Sequence, residues 1–239
     1  VTCRKRAFDI LVSALLLVLF APLLLLVALS VRIALGSPVL FCQPRAGRNG
    51  VPFVVRKFRS MREGEGEDAA RLTRFGRALR ASALDELPQL LNVLRGEMSL
   101  VGPRPLPLDY LPRYSPRQAL RLRVRPGLAG MAQAAGRNAV PWRWRLELDA
   151  RYAEASPSLR RDLALLLRCL RVWLAGRGVS APGHVTMPVL EAASEPRVDS
   201  LKNCSRKTNR CRTIASPHRT SMALSSSKTQ MSTGKTQGR

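Results

Sequence analysis

Residues 82–105, SALDELPQLLNVLRGEMSLVGPRP, set two adjacent carboxylates, Asp85 and Glu86, shortly before a Gly-Pro-Arg-Pro turn in a chain otherwise rich in arginine. One carboxylate can act as a nucleophile or hold a divalent metal, while guanidinium forks bind phosphate oxygens two at a time. Side by side, these groups suit phosphoryl transfer. The structural alternative is local: Ser82 and Asp85 have the S-x-x-D spacing of a capping box, in which the acid satisfies a free backbone donor. The arginines around the dyad have a solvated basic face as their plain alternative.

Composition narrows the partners. A length of 239 residues suits one compact domain with attachments. A net charge of +24 and a pI near 11.6 call for an anionic partner: nucleic acid, phospholipid headgroups or phosphorylated substrates. Aromatic residues make up only 5%, which weakens a base-stacking surface for single strands. The five cysteines show neither metal-ligand spacing nor a disulfide framework, so a reducing compartment is expected.

Three segments must position the chemistry. Residues 10–35 form an apolar run which, as one straight helix, would measure roughly 39 Å against a hydrocarbon core of about 30 Å. A single span is the commoner outcome for such a run, since membrane helices tolerate proline. Pro22 near the midpoint removes a backbone donor, and basic residues flank both ends: Arg4, Lys5 and Arg6 before, Arg32, Arg45 and Arg48 after. Those flanks fit a helix that breaks at Pro22 and returns to the same face, with arms of roughly 18–21 Å. Ser13 and Ser30 are candidate partners for the backbone freed at the break.

The second segment, 37–191, is read as the soluble body and the third, 192–239, as a basic tail expected to be disordered. Within the body, PVLFCQPR and VPFVVRKFRSM read as strands joined through Asn49-Gly50, a hairpin signal. Leu72, Phe75 and Leu79 give a short helical stripe, and a second helix is expected over Leu87–Arg95, putting the dyad at its N-terminus. Residues 101–108 and 125–127 read as proline-rich turns. Leu163, Leu166, Leu167, Leu170, Trp173 and Leu174 form a stripe that is either core or a lipid-facing surface among arginines. The fold class expected is α+β, mostly helical, with a β-hairpin and amphipathic interfacial helices.

The stretches KRAFDILVSALLL, PVLFCQPRAGRNGVPF, KFRSM, LDELPQLLNVLRGEMSLVGPRPL, YSPRQALR, VRPGLAGMAQAAGRN and GHVTMP occur in that order over about 185 residues. Together they resemble the bacterial sugar transferases, or monotopic phosphoglycosyl transferases. The resemblance implies a re-entrant helix over 1–36 broken at Pro22, on the cytoplasmic face of the bacterial inner membrane. It implies Asp85 as nucleophile toward a UDP-sugar, Glu86 as ligand of Mg²⁺, and Lys57, Arg80 and Arg104 beside phosphate. Pro103 would belong to a nucleotide-contacting turn. The acceptor would be a polyprenyl (undecaprenyl) phosphate, with membrane lipids as further partners and no nucleic acid. The competing reading is a non-catalytic, membrane-anchored basic protein that gathers nucleic acid or acidic lipid, which leaves the dyad and GPRP idle.

Overall fold

A computed structural model describes residues 3–176, 178, 187, 189 and 190, all within one compact unit, Val1–Ser194. The tail over 192–239, and most of GHVTMP, lie outside the described residues.

The apolar run folds as two helices, α1 (Cys3–Leu19) and α2 (Ala21–Leu35), bent by 64°. Pro22 sits in the first turn of α2. There it lacks the N–H that would reach back four residues, so the continuous ladder ends and the axis turns. Backbone bonds resume on both sides, from Phe20 N to Leu16 O (2.9 Å) and from Leu24 N to Phe20 O (2.8 Å). Neither serine expected to help is at the break. Ser30 Oγ bonds Leu26 O, and the buried Ser13 hydroxyl has no partner among the described residues. Leu11, Leu15, Val18, Leu25, Leu26 and Ile33 are exposed along the pair. Among the described residues no single helix is long and apolar enough to cross a membrane, whereas the bent pair together passes that test.

The N-terminal basic flank is used differently from the expectation. Helix α1 starts seven residues before the apolar run and buries Lys5, Asp9 and Ser13, spaced four apart on one face. Lys5 pairs with buried Asp162 and also donates to Tyr152 Oη and Val101 O. Asp9 accepts from Leu100 N at 3.1 Å, and Arg6 caps the carbonyls of Val93 and Leu94. Lys5 meets an opposite charge, Arg6 meets carbonyls and Asp9 a backbone N–H, with Asp9 Oδ2 left unpartnered among the described residues, and these contacts bolt the first helix to the body.

Strands β1 (Leu40–Ala46) and β2 (Pro52–Phe58) form the expected antiparallel hairpin, Gln43 opposite Val55. Asn49 and Gly50 both take positive φ (56° and 76°), the backbone that a tight hairpin requires. A polar loop leads to the single turn α3 (Asp68–Arg71) and to α4 (Arg74–Ser82), capped by Thr73 Oγ1 accepting from Gly76 N. Gly76 lies against the segment after β2, where an added Cβ would stand 1.8 Å from Ser60 O. Only glycine permits that approach. It brings Arg80 within reach of Ser60, whose Oγ accepts from Nε at 2.8 Å.

The chain then enters a 3-10 helix over Leu84–Gln89, α5 (Leu90–Arg95) and β3 (Ser99–Val101). The short turn α6 (Pro116–Ala119) precedes β4 (Gly127–Ala129), which pairs in parallel with β3. This two-stranded sheet was hidden from the sequence reading, which took its borders as turns; each strand is three residues long, too short to show alternation. At Gly102 an added Cβ would meet Arg125 O at 2.4 Å, so the GPRP turn is pressed directly onto the neighbouring backbone. The turn α7 (Met131–Ala134) and helices α8 (Trp142–Glu154) and α9 (Leu159–Leu174) complete the body. The core joins Phe53 and Val55 to Leu90, Val93, Met98 and Leu165. On α9 the buried face is Asp162, Leu165 and Cys169, while Leu163, Leu167, Leu170 and Leu174 are exposed. Most of the leucine stripe is therefore surface, and Leu166 and Trp173 alone of its members pack on the core.

Candidate active site

The dyad occupies the first turn of the 3-10 helix, after Ala83 closes α4 in the left-handed region (φ 58°). This differs from the expected position at the N-terminus of one helix over Leu87–Arg95. Pro88 cannot donate to the ladder, so the first turns tighten to 3-10 and the α-helix begins only at Leu90. The capping alternative for Asp85 also fails. Ser82 Oγ bonds Leu79 O and receives Leu84 N, and Asp85 accepts no hydrogen bond among the described residues.

The consequence is a buried, unbonded carboxylate (4% exposed) in the lining of a cavity of about 290 Å³. Arg45 and Lys57 come to that cavity from the hairpin, Arg80 from α4, Arg104 from the GPRP turn, and Arg137 and Arg145 from the segment around the start of α8. Its rim carries Tyr110, Asn138 and Trp142, the two aromatic rings meeting edge to face at 5.7 Å. Six cations face three carboxylates, Asp68, Asp85 and Glu86. The surplus of positive charge suits a multiply charged phosphate ligand.

The two acids are in unlike states. Glu86 is held by both nitrogens of the Arg104 fork, at 2.5 and 3.2 Å. Burial alone would push its carboxyl up, but the Arg104 charge and hydrogen bond outweigh that and hold it below the usual range. Asp85 has no such bond. Burial, and then the adjacent Glu86 charge, push it up to about 6 against the pull of Lys57, Arg104 and Arg80. Desolvation lowers Lys57 to about 8, with Asp85 opposing. Two carboxyls whose environments separate their pKa values are suited to different roles. A bell-shaped profile follows for any reaction needing ionised Asp85 and protonated Lys57. Activity rises with pH through about 6 and falls through about 8, because the carboxyl gains its charge on the first limb and the ammonium loses its charge on the second. Turnover rates across this range check it, and Lys57→Arg should move the alkaline limb upward.

The structure thus brings Lys57, Arg80, Asp85, Glu86 and Arg104 together. Pro103 is different: it is buried, accepts Gly127 N through its carbonyl at 2.8 Å, and is not among the residues lining the cavity. It shapes the turn from behind. Pro22 is at the break between α1 and α2, away from this cavity's lining. Sequence reading missed Arg45, Arg137, Arg145, Tyr110, Asn138 and Trp142. Arg137 lay inside the quoted AAGRN stretch, yet nothing in its spacing marked it. Its positive φ of 55°, its bond to Arg80 O (3.1 Å) and its buried, unpartnered Nη1 emerge only in three dimensions. Arg121 was missed too. Buried beneath the turn, it pairs with Asp149 at 2.8 Å and donates to Arg104 O, fixing the backbone that carries the fork.

One carboxylate free and one pinned, ringed by six cations, make a site of the kind that handles phosphate. The chain belongs to the bacterial sugar transferase family, which matches residues 1–176. It is 45% identical over 188 residues to the uncharacterized sugar transferase EpsL of Bacillus subtilis, covering 76% of this chain and 93% of that protein. It is 46% identical over 184 residues to the UDP-glucose:undecaprenyl-phosphate glucose-1-phosphate transferase of Caulobacter vibrioides (70% and 68%). Identity to the exopolysaccharide production protein ExoY of Rhizobium meliloti is 39% over 197 residues (73% and 87%). The chain is an enzyme of the phosphoglycosyl transferase class, which sets aside the non-catalytic reading.

Proposed function

We propose that this enzyme moves a sugar 1-phosphate from a UDP-sugar to a polyprenyl phosphate in two displacements through Asp85. An Asp85 carboxylate oxygen attacks the β-phosphorus, the bond from that phosphorus to the bridging oxygen breaks, and UMP leaves with the electron pair. The sugar phosphate remains as an acyl phosphate on Asp85. An oxygen of the polyprenyl phosphate then attacks the same phosphorus, the bond to Asp85 breaks, and polyprenyl-diphosphate sugar forms with the carboxylate restored. The observation that carries this reading is the asymmetry of the dyad: Asp85 is buried, unbonded and raised to about 6, while its neighbour is committed to Arg104.

An anion attacking an anion is opposed by charge, so the surrounding cations must neutralise oxygens as charge gathers on them. Arg104 presents a fork braced by Arg121, Arg80 is oriented by Ser60, and Arg137 has a donor left over. Among the described residues no three His, Cys, Asp or Glu side chains form a metal cage. Two adjacent carboxylates without a cage are nonetheless the donor set for Mg²⁺ that arrives with a diphosphate. Glu86 fits as its ligand, since each carboxylate oxygen retains a lone pair beyond the one given to Arg104. Bound there, Mg²⁺ would offset diphosphate charge.

The bent pair α1–α2 is the proposed re-entrant anchor in the cytoplasmic leaflet of a bacterial inner membrane, supported by its exposed leucines and by the outward leucines of α9. Labels at residues 3 and 42 should both report the cytoplasmic side. The chemistry is tested by intact-mass measurement with UDP-sugars and Mg²⁺ and no acceptor. The protein should gain one sugar phosphate as UMP appears, and lose it on addition of polyprenyl phosphate. A folded preparation that releases UMP on turnover yet never carries that mass overturns the covalent reading.

A further inference from the structure

A second cavity, about 370 Å³, adjoins the first and shares two of its cations, Lys57 and Arg80. Its character is different. Pro38, Leu40, Phe41, Cys42 and Met61 give it apolar walls, and Leu40 and Phe41 continue that surface to the outside. The cavity also touches the anchor: Arg59, part of its lining, donates to Leu35 O at the last residue of α2 and is paired with Glu63 at 3.0 Å. Five cations line it (Lys57, Arg59, Arg62, Arg71 and Arg80) against Glu63 alone.

Apolar walls that end in cations fit an amphiphile with an anionic head. They fit a nucleotide less well. The Ser60 hydroxyl is engaged by Arg80, whereas the first cavity offers Asn138 beside a Tyr110–Trp142 pair, the groups that stack on and hydrogen-bond a base or sugar. We propose that this apolar cavity is the seat of the acceptor, taking the phosphate of a polyprenyl phosphate on Lys57 and Arg80 and the first isoprene units between the hairpin and Met61. The rest of the tail continues along the anchor into the bilayer.

The proposal rests on the two-displacement reading and deepens it. Because Lys57 and Arg80 face both cavities, the same cations serve the donor phosphate in the first displacement and the acceptor phosphate in the second. The acceptor approaches from the hairpin side and the nucleotide departs from the aromatic side. Neither has to cross the other's position.

Cys42 provides the test, since it is a free, exposed thiol in the wall of this cavity. Cys169 is buried and its thiol is pushed up to about 11, so it stays silent to alkylation. With Cys3→Ser, Cys204→Ser and Cys211→Ser, the alkylation rate of Cys42 is measured by intact mass in nanodiscs of one fixed phospholipid composition. Four additions are compared: undecaprenyl phosphate, undecaprenol, UDP-glucose and UDP. At a ligand concentration ten times its Kd, undecaprenyl phosphate should slow Cys42 about tenfold, while the other three leave the rate unchanged. Protection by UDP or UDP-glucose in place of the lipid would assign the cavity to the nucleotide and overturn the proposal. Equal protection by undecaprenol would remove the role of the two cations. No protection by any addition would empty the cavity of acceptor altogether. The Asp85 adduct is measured in the same preparation with UDP-sugars. Its absence condemns the catalytic reading, whereas an adduct without lipid protection condemns only this assignment.

Discussion

Asp85→Asn should abolish UMP release from UDP-sugars, by at least about 10⁴-fold, and leave no adduct in the intact mass. The same substitution should make the protein more stable. The folded-state pKa of Asp85, about 6, lies above the ordinary aspartate value, so ionising the buried carboxyl opposes folding. That penalty is absent below about pH 4, where the acid is protonated in both states, and complete above about pH 6. Asparagine keeps the shape without the charge, and the gain at neutral pH should be on the order of 1–3 kcal/mol. Thermal melts at about pH 7.5 and about pH 4 should show the difference between wild type and variant shrinking at the acid end. A variant that still releases UMP at the wild-type rate removes Asp85 as nucleophile. A variant that is inactive but less stable at neutral pH shows instead that the charge is satisfied in the fold.

Arg104→Ala should lower kcat/KM by roughly 10²–10³-fold, the usual loss when one preorganised donor to a developing oxyanion is removed. It should also change the shape of the pH profile. Glu86 owes its low pKa to the Arg104 charge and fork; without them burial prevails and the carboxyl moves up toward its neighbour. The acid limb then carries two groups and steepens. Arg104→Lys restores the charge but cannot span both Glu86 oxygens, so recovery should be partial in rate and nearly complete in pH profile. The arginine side of the pair is about a third open to solvent, so the stability loss should stay within about 1–2 kcal/mol. Full activity in Arg104→Ala would mean that the guanidinium only restrains Glu86.

Several elements were legible because their physics is local. Asn49-Gly50 declared the hairpin and the stripe Leu72, Phe75 and Leu79 declared α4, while Pro22 left a span and a break both open until the family resemblance favoured the break. Helix α1 was placed seven residues late because Lys5 and Asp9 look like a polar flank; they are helix interior whose partners, Asp162 and Leu100 N, lie far along the chain. The leucine stripe of α9 has one periodicity whether it faces core or solvent, and only the packing of Leu165 and Cys169 showed which face turned inward. Arg121, Arg137 and Arg145 were indistinguishable from the other arginines.

Residue type and order along the chain were enough to determine the groups on offer: two neighbouring carboxylates, many guanidinium groups, a rigid proline turn and an apolar run interrupted by Pro22. Tertiary structure alone decided how that chemistry is divided. Whether a carboxylate is free or pinned depends on which guanidinium reaches it, and Arg104 reaches Glu86 because Arg121, Gly102 and the β3–β4 pairing hold its backbone there. Such forces act across space between residues far apart in sequence. No local pattern can encode them.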